Sequence, residues 1–388
     1  MNICFVNENY KMGGVQNVTI NIANAMQKNG HNVTLIDFSG ENQFFYKVEK
    51  GISKPKAIRK RNLIRKLFAK TLKLYSKITK KPISIKYFYN KQIKDLLHNI
   101  KQNNYDVIIM SEGTLTSCIP ILKKEIPNQK TVAWQHNEYN IYINDYYKEY
   151  IRDYKKGIVL ADLVICLTEE DQKKFNLLNR NSYYIYNPLT LNNTEKKICN
   201  LKSKQIIFVG RLVLKQKGLD YLLKIAQKIK DGWKIVIAGD GPDKKKFLKM
   251  INKNKLKDKI VLRGSLKADE LKKLYLSGSI FISTSRWEGF GLVITEAMSF
   301  GLPIISFNNN GPNEILKNGE YGILVNKNRI DEFIFKLNDL IEDKLKMDFY
   351  QKKALERARQ FKIQNIIKKW EKILNENLEG TGINDELP

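Results

Sequence analysis

The sequence contains little cysteine and no long apolar run. Four of its 388 residues are cysteine, at positions 4, 118, 166 and 199, and none lies close enough to another to form a zinc-binding pair. A count this low excludes a disulfide scaffold and fits a reducing compartment. No apolar run approaches the roughly 18 residues that cross a membrane. Residues 1–6 already have the pattern of a strand, so we expect neither a signal peptide nor a transit peptide.

Acidic residues are scarce beside the basic ones. Lys and Arg number 68 and Asp and Glu number 40, which gives a net charge of +28. An excess this large indicates an anionic partner, such as nucleic acid, an acidic membrane surface or a phosphorylated substrate. The alternative is that part of the lysine excess reflects a general coding bias towards Lys, Asn and Ile and not a binding partner. The 43% of hydrophobic residues is typical of a globular protein, and 388 residues predict two domains.

Short apolar runs alternate with helical patterns along most of the chain. Alternation of this length predicts a doubly wound α/β fold with buried parallel strands. The predicted strands fall into two series, which indicates two Rossmann-like domains. The first series is 3–6, 33–36, 107–110, 132–134 and 163–167, and the second is 206–209, 235–238, 260–262, 280–283, 303–306 and 322–325.

The domain limits follow from breaks in this pattern. Asn187-Pro188 ends a regular element, because proline restricts the residue before it. We therefore predict an N-terminal Rossmann-like domain over residues 1–190 and a second one over 191–360. A helix over 361–379 is long enough to return to the first domain, and residues 380–388 are expected to be disordered.

Residues 46–89 interrupt the alternation with a strongly basic stretch. They contain fifteen Lys or Arg and a single acid, Glu49. Within residues 59–81, apolar side chains recur at helical spacing and basic side chains fill the remaining arc. The apolar set is Leu63, Ile64, Leu67, Phe68, Leu74, Tyr75 and Ile78, and the basic set is Arg61, Arg65, Lys66, Lys70, Lys73 and Lys77. Such a helix suits the surface of an anionic membrane. The alternative is a surface helix whose apolar face packs on its own domain.

Two cationic residues follow the first predicted strand of the second domain. Arg211 comes just beyond the strand 206–209, and Lys217 lies six residues further on. Ligands of doubly wound sheets bind beyond the carboxyl ends of the strands. An Arg and a Lys that converge there could neutralise a diphosphate.

Two glycine-containing turns give weaker signals. Gly13-Gly14 separates the first strand from a helix, where free N–H groups favour an anion. Residues 239–242, Gly-Asp-Gly-Pro, begin like a dinucleotide fingerprint but lack its third glycine, since Lys244 stands in that position. We interpret this second turn as a tight connection only.

The most specific motif has two glutamates with seven residues between them. Glu288 lies in a glycine-rich turn after a strand, and Glu296 lies in the helix that follows. The N–H groups near residues 290–292 are free at the helix start. A diphosphate bound there would place a sugar near Glu288 and a ribose near Glu296, and carboxylates accept hydrogen bonds from vicinal hydroxyls. An acid that complements the helix dipole accounts for one of the two glutamates but not for both.

With these motifs the chain resembles the family 4 glycosyltransferases, which are retaining enzymes of the GT-B fold. The resemblance covers nearly the whole chain and is strongest over residues 208–325. It implies an α/β, GT-B architecture with two Rossmann-like domains that face each other across a cleft. In the first half it rests on Gly13-Gly14, on His136 and on residues 185–188, Ile-Tyr-Asn-Pro.

The resemblance also implies roles for individual residues. Arg211 and Lys217 would hold the donor diphosphate and stabilise the leaving nucleotide. Glu288 would bind hydroxyls of the donor sugar and Glu296 those of the ribose. His136 would lie near the reacting sugar. The backbone of Phe290, Gly291 and Leu292 would contact sugar and phosphate, and Gly14 would let the N-terminal loop close over the phosphates.

The expected reaction is transfer with retention and without a metal. The sequence has no Asp-x-Asp motif, and two cations beside a helix start can supply the charge stabilisation that a metal gives elsewhere. We expect no cofactor. A UDP-sugar is the favoured donor and GDP-mannose the second choice. The acceptor is expected to be a lipid-linked glycan in capsule, O-antigen or lipooligosaccharide assembly, with the enzyme cytoplasmic and peripheral on the inner face of the cell membrane.

Two other functions remain open from the sequence. One is another GT-B enzyme, such as a sugar epimerase or a phosphorylase. The other is a basic nucleic-acid-binding protein, since positive charge alone gives affinity for phosphates. We find no zinc finger and no aromatic segment suited to stacking bases, so we expect no nucleic acid partner.

Overall fold

The computed structural model describes residues 1–191, 193 and 195–378. The chain forms two compact units. The first contains Met1–Pro188 and the segment from Ile363 onward, and the second contains Leu189–Lys362. The tail expected to be disordered, residues 380–388, lies outside the described residues.

The first unit is built on a sheet of six parallel strands. Its strand order is β2-β1-β3-β4-β5-β6. Strand β2 lies on one side of β1 and β3 on the other, so the order reverses direction between β1 and β3. The strands are β1 (Asn2–Asn7), β2 (Asn32–Asp37), β3 (Val107–Ser111), β4 (Lys130–Trp134), β5 (Leu163–Cys166) and β6 (Ser182–Tyr184). The helices are α1 (Gly14–Lys28), α2 (Leu63–Thr79), α3 (Ile85–Gln102), α4 (Glu112–Thr116), α5 (Ile119–Glu125), α6 (Tyr139–Ile141), α7 (Ile151–Leu160) and α8 (Glu169–Phe175).

The second unit is built on another parallel six-stranded sheet. Its order is β12-β11-β10-β7-β8-β9, and the reversal of direction falls between β7 and β10. The strands are β7 (Gln205–Val209), β8 (Lys234–Ala238), β9 (Ile260–Gly264), β10 (Ile280–Ser283), β11 (Ile304–Phe307) and β12 (Ile323–Val325). The helices are α9 (Leu214–Lys217), α10 (Leu219–Lys228), α11 (Lys244–Lys253), α12 (Ala268–Ser277), α13 (Leu292–Ser299), α14 (Asn310–Leu316), α15 (Ile330–Glu342) and α16 (Lys344–Ala358).

Apolar runs explain why these strands lie in the interior. Residues of β1, β3, β5, β7 and β10 are almost entirely buried, because helices cover both faces of a parallel sheet. Each unit has its own apolar core, one around Met110 and the other around Ile237. The predicted doubly wound α/β fold with two parallel sheets is confirmed.

The last helix, α17 (Ile363–Leu378), packs on the first unit. Trp370 is fully buried and lies edge-on to Trp134, with 5.0 Å between the ring centroids. The Nζ atom of Lys369 lies 3.7 Å above the ring of Tyr184. A carboxylate oxygen of Glu371 lies 3.1 Å from a ring nitrogen of His31.

Helix α2 covers most of the basic segment 59–81. Asn62 caps it by accepting a hydrogen bond from the backbone N–H of Arg65. Its apolar stripe is exposed: Leu63, Ile64, Leu67, Phe68, Leu74, Tyr75 and Ile78 keep between 52% and 75% of their surface accessible. Ala69 and Ser76 are its buried residues. The alternative in which this apolar face packs on its own domain is therefore wrong.

The helices that the structure describes include none with the length and apolar character needed to cross a bilayer.

Candidate active site

Arg211 and Glu288 lie beside the point where the second sheet reverses direction. Arg211 follows β7 and Glu288 follows β10, and these two strands are neighbours. Open α/β sheets bind ligands at this position, because the helices after the two strands diverge to opposite faces and leave a crevice. The Arg211 side chain is exposed and forms no ion pair within the described part of the chain. It is free to meet an anion there.

Lys217 and Glu288 form an ion pair at this edge. The Lys217 Nζ atom lies 2.5 Å from Glu288 Oε2, and both side chains are largely buried, at 12% and 18% exposure. The Ser285 hydroxyl donates a second hydrogen bond to the same oxygen, at 3.0 Å. Limited exposure strengthens the attraction relative to a surface pair. A donor diphosphate would therefore meet a lysine whose position is already fixed by a carboxylate.

The backbone around Lys217 is fastened to the strand end that carries Glu288. Gly218 has a φ of +60°, and a Cβ at this position would lie 2.2 Å from the carbonyl oxygen of Thr284. Only glycine combines this backbone conformation with such a close approach. The Thr284 hydroxyl donates to the carbonyl of Lys217 at 2.8 Å. Residues about 70 apart in sequence are thus held together by backbone contacts.

Arg286 reinforces the same junction from the other side. Its guanidinium donates two hydrogen bonds to the Asp220 carboxylate, at 2.9 and 2.6 Å, and lies 4.1 Å from the Tyr221 ring centroid. Burial raises the Asp220 pKa, but the hydrogen bond and charge of Arg286, with smaller effects from the backbone and Lys224, bring it below its ordinary value. Arg286 therefore positions the turn that carries Glu288.

Three buried polar atoms in or near this turn have no hydrogen-bond partner among the residues that the structure describes. They are Trp287 Nε1, Asn309 Oδ1 and Asn313 Oδ1. The Asn309 amide group donates to the carbonyl of Ser285 at 2.6 Å, which holds its side chain against the turn. Buried polar groups are normally paired. These atoms are therefore available to hydrogen-bond a polar ligand.

Residues 290–292 form the start of helix α13. Phe290 is buried, with its ring 5.8 Å from the ring of Phe361. Gly291 is the N-cap residue, and no side chain in the described part of the chain caps the first N–H groups. Free N–H groups at a helix start attract an anion. The arrangement is compatible with the sugar and phosphate contacts expected for Phe290, Gly291 and Leu292.

Glu296 is buried within the second unit, where two hydroxyl groups bind it. Thr190 donates to one carboxylate oxygen, and Tyr275 donates to the other at 2.9 Å. Burial raises the Glu296 pKa, and the two hydrogen bonds oppose that effect. A carboxylate has about four acceptor positions, so capacity for ribose hydroxyls remains. The two protein donors give Glu296 a structural role as well.

The sequence-predicted residues of the first unit lie at the carboxyl edge of its sheet. Gly14 begins helix α1, and its predecessor Gly13 provides no side-chain cap. His136 lies two residues beyond β4, with its ring 4.2 Å from that of Trp134. Both ring nitrogens of His136 are buried without a partner among the described residues. Burial lowers the His136 pKa to about 3, so the imidazole is neutral at pH 7.

A pair of glutamates at this edge was missed by the sequence analysis. Glu8 directly follows β1 and Glu112 directly follows β3, and β1 and β3 are neighbours at the reversal point of the first sheet. Glu112 has a φ of +68°. Burial, and after it the negative charge of Glu8, raises the Glu112 pKa to about 8. A carboxylate directly after each of two strands was the signal that could have identified the pair.

The structure therefore brings Lys217 and Glu288 together, with Arg211 on the neighbouring strand end. Glu296 lies deeper, with its own hydrogen-bond partners. Gly14 and His136 belong to the first unit. Within the described residues, no group of three or more His, Cys, Asp or Glu side chains is placed to hold a metal.

Two family models match adjacent parts of the chain. One, described as Glycosyltransferase Family 4, matches residues 12–192. The other, described as Glycosyl transferases group 1, matches residues 192–360. The change from one model to the other falls close to the junction between the two units at residues 188 and 189.

Curated proteins with similar sequences are also named as glycosyltransferases. An uncharacterized glycosyltransferase from Haemophilus influenzae is 30% identical over 376 residues, which cover 93% of this chain and 96% of that protein. The amylovoran biosynthesis glycosyltransferase AmsD from Erwinia amylovora is 32% identical over 228 residues, or 56% of this chain and 63% of that protein.

Solved structures share the fold at low sequence identity. The lipopolysaccharide outer core galactosyltransferase WaaB in its apo form has a TM-score of 0.73 and 18% identity, and the match covers 97% of this chain and 99% of WaaB. The Anabaena protein HepE in complex with UDP-glucose has a TM-score of 0.71 and 18% identity, with 96% and 99% covered.

Proposed function

The chain belongs to the family 4 glycosyltransferases, and we propose that it transfers a sugar from a nucleotide-sugar donor to a lipid-linked glycan, with retention and without a metal. Glycosyltransferase activity itself and the fold of GT-B enzymes were both predicted from the sequence, and both are confirmed. A UDP-sugar is the favoured donor, because a similar structure was solved with UDP-glucose. Capsule, O-antigen or lipooligosaccharide synthesis is the favoured pathway, because WaaB and AmsD are named for surface polysaccharides.

One observation carries the proposed chemistry. The Lys217–Glu288 ion pair and Arg211 lie at the carboxyl ends of the neighbouring strands β7 and β10. This edge offers cations for a diphosphate and a carboxylate for sugar hydroxyls within one crevice. Buried groups such as Trp287 Nε1, which has no partner within the described ranges, lie in the same turn. The donor would complete their hydrogen bonding.

Arg211, Lys217 and Glu288 would act on the charges that develop as the bond between the donor sugar and the diphosphate breaks. The bond from the sugar C1 atom to the diphosphate oxygen breaks, and the acceptor oxygen bonds to C1 on the same face. The acceptor proton passes to the leaving phosphate oxygen. Arg211 and Lys217 stabilise the growing negative charge on the diphosphate, and groups that act only at this stage accelerate the reaction. Glu288 holds the sugar while its ring becomes electron-poor.

A donor screen followed by product analysis tests this proposal. Thermal unfolding is measured with UDP-, GDP-, ADP- and TDP-sugars, because a ligand of the native state raises the melting temperature. We expect a UDP-sugar to give the largest rise and its transfer to form a glycosidic bond with the donor's anomeric configuration. Activity that is abolished by a chelator and restored by Mn²⁺ would contradict metal-independent transfer. Free isomerised sugar in place of a new glycosidic bond would favour an epimerase.

Helix α2 supports a peripheral location on the inner face of the cell membrane. Its apolar stripe, which includes Leu67 and Phe68, is more than half exposed, and Lys70, Lys73 and Lys77 are exposed on the same helix. An exposed apolar stripe with basic flanks suits the interface of an anionic bilayer. Each Lys near such a surface contributes about 1 kcal/mol at low salt.

Liposome sedimentation tests the membrane location. Changing Lys70, Lys73 and Lys77 to Gln removes about 3 kcal/mol of attraction, so binding to anionic liposomes should fall roughly a hundredfold. A control triple variant, with Lys245, Lys246 and Lys249 of α11 changed to Gln, has the same net charge and exposed sites elsewhere. It should retain most of the binding. Equal loss in both triple variants would show that net charge alone, and not α2, directs the protein to the membrane.

A further inference from the structure

A cavity of about 190 Å³ lies in the first unit beside the start of helix α2. Its lining includes Glu8, Ser39, Lys60, Arg61, Lys66 and Tyr89. Pockets that enclose a drug-sized ligand measure roughly 300–1,000 Å³. This cavity, the α2 cavity, therefore has room for a head group and not for a whole glycan. It adjoins the carboxyl ends of β1 and β2, where doubly wound folds bind ligands.

The Arg61 side chain is fixed in a position that suits anion binding. Its guanidinium lies 4.5 Å from the Tyr89 ring centroid, and Tyr89 packs on Phe38 with 5.5 Å between the ring centroids. Within the described part of the chain, Arg61 has no carboxylate partner. Arg61 also forms a side-chain hydrogen bond with Tyr89. A guanidinium held over an aromatic ring in this way keeps its other N–H donors available and loses little freedom when it binds a phosphate.

The backbone that carries Lys60 and Arg61 is held on two sides. Gly40 has a φ of +74°, and a Cβ there would lie 2.5 Å from the carbonyl oxygen of Ile58. The neighbouring Arg59 donates hydrogen bonds to the Asp95 carboxylate from both its backbone N–H and its guanidinium, at 2.9 and 3.0 Å. The segment therefore presents its cations from a fixed frame, as a preformed site requires.

The charges around the α2 cavity leave a positive excess. Glu41 is already paired with Lys11 at 2.5 Å and lies 3.4 Å from Lys60. Counting Lys11, four cations face the two acids Glu8 and Glu41, an excess of two positive charges. The α2 helix start adds a favourable dipole. A doubly charged anion matches this surplus.

The exposed apolar stripe of α2 begins next to the cavity. Lys66 lines the cavity, while Leu63 and Leu67, within one turn of it, are 72% and 52% exposed. A ligand with a charged head and a hydrocarbon tail would satisfy both surfaces at once. A sugar phosphate without a tail would leave the stripe uncovered.

We propose that the α2 cavity binds the phosphate or diphosphate of an amphiphilic acceptor, whose hydrocarbon chain lies along the Leu63 and Leu67 side of α2. This inference rests on the proposed function, since it names the chemical class of the acceptor for the same transfer. Arg61 and Lys66 hold the phosphate oxygens. Glu8 at the inner wall accepts a hydrogen bond from the head group's sugar.

Calorimetric titration with inorganic pyrophosphate tests the site. The wild type should show two classes of site, one in each unit. Arg61→Gln should weaken one class about tenfold or more, because a charge-assisted hydrogen bond is lost, and Arg211→Ala should weaken the other. Lys56→Gln removes the same charge from an exposed residue outside the cavity and should change neither. A wild type with one class of site, insensitive to Arg61→Gln, overturns the proposal.

A second titration tests whether the ligand is an amphiphile. Geranyl diphosphate, which adds a ten-carbon prenyl chain, should bind more tightly than pyrophosphate, and Leu67→Ser should remove that gain. Equal affinities for the two compounds would overturn the amphiphile assignment. Neither titration uses a donor sugar. An Arg61-dependent site without any nucleotide-sugar turnover would therefore count against the proposed function alone.

Discussion

Replacing Glu112 by Gln should remove a pH dependence from the stability of the protein. Burial and the charge of Glu8 raise the Glu112 pKa from 4.5 to about 8 in the folded state. Between these values the folded protein keeps a proton that the unfolded chain has lost. Stability therefore falls as pH rises, by about 1.4 kcal/mol per pH unit. Over the whole window the loss reaches at most about 5 kcal/mol.

Urea unfolding at pH 5, 6, 7 and 8 measures this effect. The Gln side chain has nearly the same shape and no charge, so the Glu112→Gln variant should lose little stability across this window and exceed the wild type above pH 7. Glu8→Gln should lower the folded-state pKa of Glu112, so the fall in stability should end at a lower pH and be smaller in total. Glu125→Gln, at a half-exposed residue beside Lys101, should follow the wild type. If the Glu112→Gln curve has the same slope as the wild type, Glu112 does not retain its proton in the folded protein.

Three further predictions concern the candidate active site. Arg211→Ala and Lys217→Ala should each lower kcat by about 10²–10³ with folding intact, because the leaving phosphate loses a stabilising charge; near-normal turnover in both would contradict the diphosphate site. Glu288→Ala should mainly lower kcat, whereas Glu296→Ala should mainly weaken nucleotide binding. Glu296→Ala should also lower the melting temperature, since Thr190 and Tyr275 lose their acceptor. An unchanged melting temperature would argue against a structural role of Glu296. The His136 pKa of about 3 means that His136 stays neutral from pH 5 to 8. Plots of kcat against pH for the wild type and His136→Ala should therefore have the same shape. An inflection found only in the wild type would contradict this prediction.

Local sequence patterns were sufficient for most of the fold. Buried parallel strands appear as continuous apolar runs, so the predicted strand 235–238 differs from the observed β8, Lys234–Ala238, by one residue. The edge strand β6, Ser182–Tyr184, was missed because three residues with a polar start give no such run.

The candidate site was only partly accessible from the sequence. Arg211, Lys217, Glu288 and Glu296 were found through their positions after predicted strands and through the family resemblance. Their roles as donor-binding and catalytic groups stay predictions. No local pattern indicated that Lys217 pairs with Glu288 across 71 positions, or that Thr190 and Tyr275 bind Glu296.

The sequence by itself determined where most strands and helices form, because alternation and helical spacing depend on neighbours a few residues apart. Only the tertiary structure decided which surfaces stay open. It exposed the apolar stripe of α2, for which packing on its own domain had been the alternative prediction. It also placed Glu8 beside Glu112 and Arg61 over Tyr89. Such contacts depend on how distant elements pack, and no local pattern encodes the distance between two strand ends or the burial that shifts a pKa.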